Sequence, residues 1–272
     1  MCSVLGVSRS GYYAFARRGP SRRDLANERL LERIRAVHEE SHGIYGSPRI
    51  HRALAKRGIL CGRHRVARLM AKKDIIARSR KRFRKTTKPR KGARVSPDLV
   101  QRHFVAERPH QVWTSDITYI WTMEGWLYLA VVLDLFSRAV VGWATSARID
   151  AALVCEAFDR AFRRHRPWGE LISHSDRGSQ YTSDMYFTLI NAQSFTVRPS
   201  HGLSCYDNAV TESFFHTLKT EWVPFQDNRT RVETHAKLFE YLEVFYNNQR
   251  LHSSLGYQTQ AEKLQEIIIK AA

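Results

Sequence analysis

The sequence has few cysteines and no long hydrophobic run. Its four cysteines, spread over 272 residues, lie 50 or more positions apart, so they predict neither a disulfide framework nor a zinc site. No apolar stretch approaches the length of a membrane-spanning helix, and the first ten residues lack the apolar segment of a secretory signal. We therefore expect a protein of the reducing cytoplasm without a membrane partner.

Acidic residues are scarce in the first third of the chain. Residues 1–100 contain 27 Lys and Arg but only 7 Asp and Glu, whereas residues 101–272 contain 17 and 19. The whole net charge of +18 therefore belongs to the N-terminal third. A positive charge this localised indicates a nucleic-acid surface, because Lys and Arg bind phosphates and release counterions. A solvated or membrane-attracted tail is the alternative.

Residues 27–77 are predicted to form a small all-α module. Helical periodicity extends from about 26 to 42, from 47 to 58 and from 62 to 73, and Ser47-Pro48 offers an N-cap and a first-turn proline for the middle helix. This pattern fits a helix-turn-helix whose third helix lies in the major groove of DNA, and an ordinary three-helix packing module is the alternative. The residues predicted to contact DNA are Arg49, Arg52, Arg63, Arg65 and Arg68.

Basic segments flank this module. Residues 1–26 are predicted to form a basic N-terminal arm, and residues 78–106 a basic linker. Ten of the seventeen residues from 78 to 94 are Lys or Arg, which is typical of a flexible segment with phosphate affinity. The linker residues predicted to contact DNA are Arg80, Lys81, Arg82, Arg84 and Lys85.

Residues 107–225 have the pattern of an α/β domain. Runs of strand character within 111–122, 126–134 and 139–144 are joined by short turns and predict an antiparallel meander. Helices and strands then alternate, which predicts a sheet with helices on its faces. Residues 226–272 are predicted to be a helical extension, although the tail after residue 256 predicts no element and no sustained heptad repeat occurs.

Three acidic residues of this domain lie in contexts that favour an accessible carboxylate. Asp116 lies on the less apolar face of the first strand, Asp176 ends a short strand, and Glu212 lies on a helix. The first strand is expected to lie beside the one that ends at Asp176, with the helix across both, so the carboxylates should meet. Clustered carboxylates favour Mg²⁺ or Mn²⁺, and two such ions about 4 Å apart can drive in-line displacement at phosphorus.

Other polar and aromatic residues of the domain have supporting roles in this interpretation. Asp134 is predicted to cap a turn or to pair with Arg138 rather than to bind metal. His174 and His216 are predicted to hydrogen-bond near the carboxylate cluster, and the alternative is that they tune the site or carry protons. The tryptophans are interpreted as core residues rather than base-stacking platforms: Trp113, Trp126 and Trp143.

Five sequence motifs are spread over almost the whole chain: Tyr45-Gly-Ser-Pro-Arg49, Asp116-Ile-Thr-Tyr119, His174-Ser-Asp-Arg-Gly-Ser-Gln-Tyr181, Asp207-Asn-Ala-Val-Thr-Glu-Ser-Phe-Phe215 and Tyr246-Asn-Asn-Gln-Arg-Leu-His-Ser-Ser-Leu-Gly-Tyr257. Together they resemble the catalytic, second-reading-frame protein of bacterial insertion-sequence transposases, a group with a DDE, retroviral-integrase-like core. One departure concerns the loop at 200–204, Ser-His-Gly-Leu-Ser, where relatives often carry a basic residue with a glycine. The resemblance therefore does not carry a basic DNA contact over to that loop.

The resemblance implies a fold, an activity and partners. The fold is an RNase H-like mixed five-stranded sheet with helices on both faces, preceded by the helix-turn-helix module. Asp116, Asp176 and Glu212 would bind two Mg²⁺ or Mn²⁺ ions, and Lys219 would contact DNA at the element end. The expected activity is metal-dependent strand nicking at element ends and transfer of the 3′-hydroxyl to another strand.

The expected partners and the rival functions follow from the same resemblance. The partners would be double-stranded DNA, further copies of the chain on DNA, and an upstream-frame protein fused by frameshifting; the protein would act in the bacterial cytoplasm, on the nucleoid when bound to DNA. One alternative is a catalytically silent DNA-binding regulator of the same fold, which the complete acidic triad argues against. The other is a ribonuclease for RNA–DNA hybrids, which has little use for a helix-turn-helix.

Overall fold

The computed structural model describes residues 2, 4–78, 96–193, 197–202, 208–222 and 230–271, with side chains up to 266 in the last helix. The chain divides into two units, residues 1–78 and 79–272. The linker residues predicted to contact DNA, Arg80, Lys81, Arg82, Arg84 and Lys85, lie outside the described residues. No helix of the described part is long and apolar enough to cross a membrane.

The first unit contains four helices: α1 (Arg9–Arg17), α2 (Arg22–Glu40), α3 (Ser47–Lys56) and α4 (Arg63–Lys72). Its core consists of apolar residues from the last three helices and includes Ile34, Ile50, Leu54 and Val66.

Two helix starts in this unit differ from the prediction. Helix α2 begins four residues before residue 26, because Ser21 and Asp24 form a reciprocal capping box. Helix α3 is capped by Gly46 rather than Ser47, which places Pro48 within its first turn. The small all-α module is otherwise as predicted.

The second unit is built on a mixed five-stranded sheet in the order β3-β2-β1-β4-β5. The first three strands form the predicted antiparallel meander, β4 runs parallel to β1, and β5 runs parallel to β4. The strands are β1 (Val112–Thr122), β2 (Gly125–Asp134), β3 (Val140–Ser146), β4 (Leu171–Ser175) and β5 (Val197–His201).

Helices cover both faces of this sheet. They are α5 (Ala151–His165), α6 (Asp184–Ala192), α7 (Ala209–Glu221), α8 (Arg231–Phe239) with a π-helical continuation (Glu240–Tyr246), a 3₁₀ turn (Ser253–Leu255) and α9 (Gln260–Ala271). Helix α9 lies in the tail for which the sequence predicted no element.

Two adjacent residues of β1 show which helices lie on which face. The Trp113 ring packs edge-on against Phe158 of α5, with centroids 5.8 Å apart. The Thr114 hydroxyl lies 2.8 Å from that of Thr211 in α7. Because successive residues of a strand point to opposite faces, α5 and α7 lie on opposite sides of the sheet.

Helix α5 approaches the sheet closely at one glycine. A Cβ added to Gly142 of β3 would lie 2.4 Å from the Ala157 carbonyl oxygen and 2.5 Å from the Ala161 Cβ. Only glycine allows the helix to pack at this distance. The resulting core, centred on Trp113, Phe158 and their apolar neighbours, fixes β1 in the middle of the sheet.

Candidate active site

Asp116 and Asp176 lie side by side because their strands are neighbours. In the parallel β1–β4 pair, Ser115 is in register with Ser175. Each aspartate is the next residue along its chain, and Asp176 directly follows the last residue of β4. The two acids therefore meet where β4 ends, which is the usual place for sites in such sheets.

The turn after β4 orients the Asp176 side chain. Its Oδ1 accepts a hydrogen bond from the Gly178 amide at 2.9 Å. A Cβ added to Gly178 would lie 2.9 Å from that same oxygen and 3.2 Å from the Gln180 side-chain oxygen. The glycine therefore leaves room for the carboxylate to fold back onto the turn.

Helix α7 is fastened to β1 immediately beside Asp116. The Asn208 side chain donates from Nδ2 to the carbonyl of the residue before Asp116, at 3.0 Å. The Thr211 hydroxyl lies 2.8 Å from both the Thr114 hydroxyl and the Asn208 side-chain oxygen. These buried bonds, called the α7 clasp below, place the first turn of α7, and with it Glu212, next to the aspartates.

Sequence reasoning missed the role of the clasp. Asn208 directly precedes α7, yet its side chain makes no capping bond and reaches across to β1 instead. The available signal was the position of a polar pair, Asn208 and Thr211, one turn apart at the start of the helix that bears Glu212.

The three acids and Lys219 interact electrostatically. Burial, followed by the charge of Asp176, raises the pKa of Asp116 to about 8, and Glu212 acts in the same direction. Burial lowers the pKa of Lys219, and the Asp116 carboxylate opposes that shift. The Lys219 ammonium also lies 4.7 Å from the centre of the Tyr119 ring. In the structure, Asp116 thus interacts electrostatically with both other predicted acids and with Lys219.

The three acids lie near one another without forming a closed metal-binding group. Across the described ranges, no group of three His, Cys, Asp or Glu side chains is arranged to hold a metal ion. Glu212 is exposed and Asp116 is half-buried. The arrangement is an open cluster of like charges.

The two predicted supporting histidines differ in position. His174 is fully buried in β4; its Nδ1 lies 2.9 Å from the Ser200 hydroxyl and 4.0 Å from Asp98 Oδ1. His216 is half-buried in α7, one turn after Glu212. His174 Nδ1 thus contacts β5 and the segment before β1.

Asp134 closes a turn, as predicted. Its carboxylate accepts hydrogen bonds from the amides of His110 and Ser137 at 2.8 and 2.9 Å, and from the Ser137 hydroxyl at 2.7 Å. Arg138 directs its guanidinium to the Phe104 carbonyl instead. The carboxylate is engaged in structure rather than aimed at the acidic cluster.

The interpretation of the tryptophans as core residues holds for two of the three. Trp113 and Trp143 are buried, but Trp126 is 43% exposed. Trp126 lies near the tip of the β1–β2 hairpin, beyond the reach of the core under α5. Its hydrophobicity predicted burial, whereas the tertiary structure leaves it on the surface.

Several of the first-unit arginines that are predicted to contact DNA are exposed to solvent. Arg52, Arg63 and Arg68 are exposed. Arg65 is half-buried and donates to Asn27 at 2.9 Å, and Arg49 lies 5.8 Å from the Tyr45 ring centre. No residue of this set is buried.

Comparison with known families matches most of the chain. An integrase core domain is matched over residues 106–205 and again over 212–262, and an HTH-like domain over residues 25–83. Together with the mixed sheet, these matches confirm the predicted RNase H-like fold and helix-turn-helix module.

Similar proteins cover nearly the same length. The chain is 40% identical to the insertion element IS600 31 kDa protein of Shigella sonnei, over 94% of each chain. It is 40% identical to the transposase for insertion sequence element IS904 of Lactococcus lactis, over 89% of this chain and 96% of that one. It is 39% identical to the transposase InsF for IS3A of Escherichia coli, over 94% and 90%. The chain therefore belongs to the insertion-sequence transposases with an integrase core domain, which are polynucleotidyl transferases.

Proposed function

We propose that this transposase nicks DNA at the ends of its element and transfers the resulting 3′-hydroxyl to another strand, with Asp116, Asp176 and Glu212 as its catalytic residues. The observation that carries the proposal is the register of β1 and β4, which brings the two aspartates together. The α7 clasp adds the first turn of α7 beside them.

The donor set fits a hard divalent cation. All three side chains offer carboxylate oxygens, which Mg²⁺ and Mn²⁺ prefer, and the crowding of like charges around Asp116 disfavours the cluster without a cation. We propose that Asp116, Asp176 and Glu212 hold two such ions. When bound, the ions supply activation of the attacking oxygen and stabilisation of the leaving oxygen.

The remaining proposed roles belong to side chains around the acids and in the first unit. Lys219, held near Asp116, would contact a phosphate at the element end. The predicted DNA contacts of the first unit, Arg49, Arg52, Arg63, Arg65 and Arg68, together with the basic linker, would bind duplex DNA. We also propose that copies of the chain assemble on DNA, and that an upstream-frame protein fused by frameshifting completes the enzyme.

A pair of assays on single variants tests the catalytic assignment. Asp116→Asn and Glu212→Gln should abolish nicking of a duplex carrying the element end, yet bind that duplex as the wild type does. Both should also weaken Mn²⁺ binding measured by titration. Asp159→Asn serves as the control, because Asp159 forms an exposed ion pair on α5. Metal-dependent nicking by Asp116→Asn would overturn the assignment.

A further inference from the structure

Three large aromatic rings lie exposed near the tip of the β1–β2 hairpin. Tyr119, Trp121 and Trp126 are 45%, 60% and 43% exposed. Trp121 is the register partner of Trp126 across the hairpin, and Tyr119 lies two residues before Trp121 on the same face. We call these three residues the hairpin platform.

The platform is an organised cluster rather than a set of scattered side chains. The Trp126 ring packs edge-on against both neighbours, with centroids 5.0 Å from Tyr119 and 4.8 Å from Trp121. On the opposite face of β1, Thr118, Ile120 and Thr122 are buried. The hairpin is therefore anchored from behind, and the rings have little freedom to collapse into the core.

The face that bears the platform changes character along β1. Trp113 is fully buried under α5, and Ile117 still packs against the same core. From Tyr119 onward the rings of this face are exposed. Clustered exposed aromatics are uncommon on a surface that binds nothing, because burial of each ring is favourable.

The surroundings of the platform favour a nucleic acid as its occupant. The Lys219 ammonium lies 4.7 Å from the centre of the Tyr119 ring, which adds a cation at the edge of the platform. Tyr119 is three residues from Asp116 along β1, a distance of about 10 Å and so about three nucleotides of a stacked strand. The two side chains leave opposite faces of the strand, and Lys219, which interacts with both, bridges them. Aromatic rings combined with a cation are the usual means of binding unpaired bases, since every base has a face to stack.

We propose that the hairpin platform stacks an unpaired base of the DNA strand, a few nucleotides from the phosphate at the acidic cluster. The proposal rests on the proposed strand-nicking function for the position of that phosphate. Trp121, the most exposed ring of the three, offers the main stacking surface, and Trp126 supports it edge-on. The platform would capture bases that separate from the duplex at the element end.

The test measures binding of two probes to the full chain without divalent metal, so that no strand is cut. One probe is a blunt duplex, and the other is the same duplex with a single-stranded thymidine tail that contains one 2-aminopurine. The Trp121→Ala and Trp126→Ala variants should bind the tailed probe roughly tenfold more weakly than wild type. They should also lose the quenching of 2-aminopurine fluorescence, while binding to the blunt duplex stays within about twofold.

Two further variants separate stacking from a loss of folding. Trp121→Phe keeps a ring and should retain most of the tail affinity. Trp168→Ala removes an equally exposed tryptophan that precedes β4, at the opposite end of that strand from Asp176, and should change neither probe. Because binding is measured without catalysis, the platform can pass this test even if the chain fails to nick DNA.

Three results would overturn the proposal. In the first, Trp121→Ala binds the tail as wild type does. In the second, its affinity for the blunt duplex falls by the same factor as its affinity for the tailed probe. In the third, it keeps tail binding but alters the association state in sedimentation, which would assign the platform to a second copy of the chain.

Discussion

Arg250 and Glu221 form a two-point ion pair inside the second unit: Nε and Nη2 of the guanidinium donate to the two carboxylate oxygens, each at 2.6 Å. Their side chains are 3% and 8% exposed. The Tyr241 hydroxyl donates to the same carboxylate at 3.1 Å. Glu221 is the last residue of α7, so this pair joins the helix that bears Glu212 to the motif at residues 246–257.

Loss of Arg250 should destabilise the second unit strongly. Arg250→Ala leaves the buried Glu221 carboxylate without its counter-ion, and we expect a loss of about 3–5 kcal/mol in the free energy of unfolding. Urea denaturation followed by circular dichroism measures it. Arg163→Ala, which breaks an exposed pair with Asp159 on α5, should cost no more than about 0.5 kcal/mol. Equal losses of unfolding free energy in the two variants would show that the buried pair stabilises the protein no more than the exposed pair does.

Removal of the α7 clasp should lower catalysis more than DNA binding. Asn208→Ala deletes the bond to β1 and one partner of Thr211, so the first turn of α7 shifts relative to Asp116. We expect the nicking rate to fall about a hundredfold, as for other groups that position reacting parts. Single-turnover nicking and duplex binding are compared with Asn191→Ala, an exposed control on α6. An unchanged nicking rate in Asn208→Ala would show that the α7 clasp does not position the catalytic residues.

A methyl group at Gly178 should disturb the Asp176 carboxylate directly. The added Cβ would lie 2.9 Å from Asp176 Oδ1, so either the carboxylate or the turn must move. Gly178→Ala is expected to reduce nicking and Mn²⁺ affinity together, with little change in the urea midpoint. Gly19→Ala is the matched control, since nothing lies within 4 Å of its Cβ. Normal Mn²⁺ binding by Gly178→Ala would contradict this geometry.

Buried His165 should destabilise the second unit under mildly acidic conditions. Burial, followed by the neighbouring His110 and Arg164, lowers the pKa of His165 from 6.5 to about 4. Between those values His165 binds a proton in the unfolded chain but not in the folded one, so its contribution to stability rises with pH across this window. Burial lowers the pKa of His110 as well, which adds to the same trend.

Urea midpoints at pH 5 and pH 7 measure this dependence. Asp116, whose pKa is raised to about 8, has the opposite effect on stability in this range, so the variant is compared with the wild type at each pH. We expect the midpoint of the wild type, relative to that of His165→Gln, to be lower at pH 5 than at pH 7. Burial raises the pKa of the Asp134 carboxylate, which faces His110, so Asp134 also opposes the trend from the histidines, and both groups remain in the variant. An identical slope in both proteins would exclude His165 as a source.

Local sequence patterns were enough to predict most of the secondary structure. Strand alternation and turn residues gave the meander of β1, β2 and β3, because hairpin-linked strands pair with their neighbours in sequence. Helical spacing gave α7, and the contexts of Asp116, Asp176 and Glu212 placed each on its element. The joint motifs predicted the family, which the comparisons confirm.

Tertiary structure decided what lies between elements that are distant in sequence. The bond from Asn208 to β1 and the pairing of Arg250 with Glu221 join residues far apart in the chain, and no local pattern specifies such partners. The alternation of residues along β1 predicted which side chains share a face of the strand. It did not predict at which residue α5 ceases to cover that face. For that reason Trp126 was expected in the core and lies on the surface. The sequence by itself determined most of the elements and the acids, and only packing determined which polar groups hold those acids together and which rings remain exposed beside them.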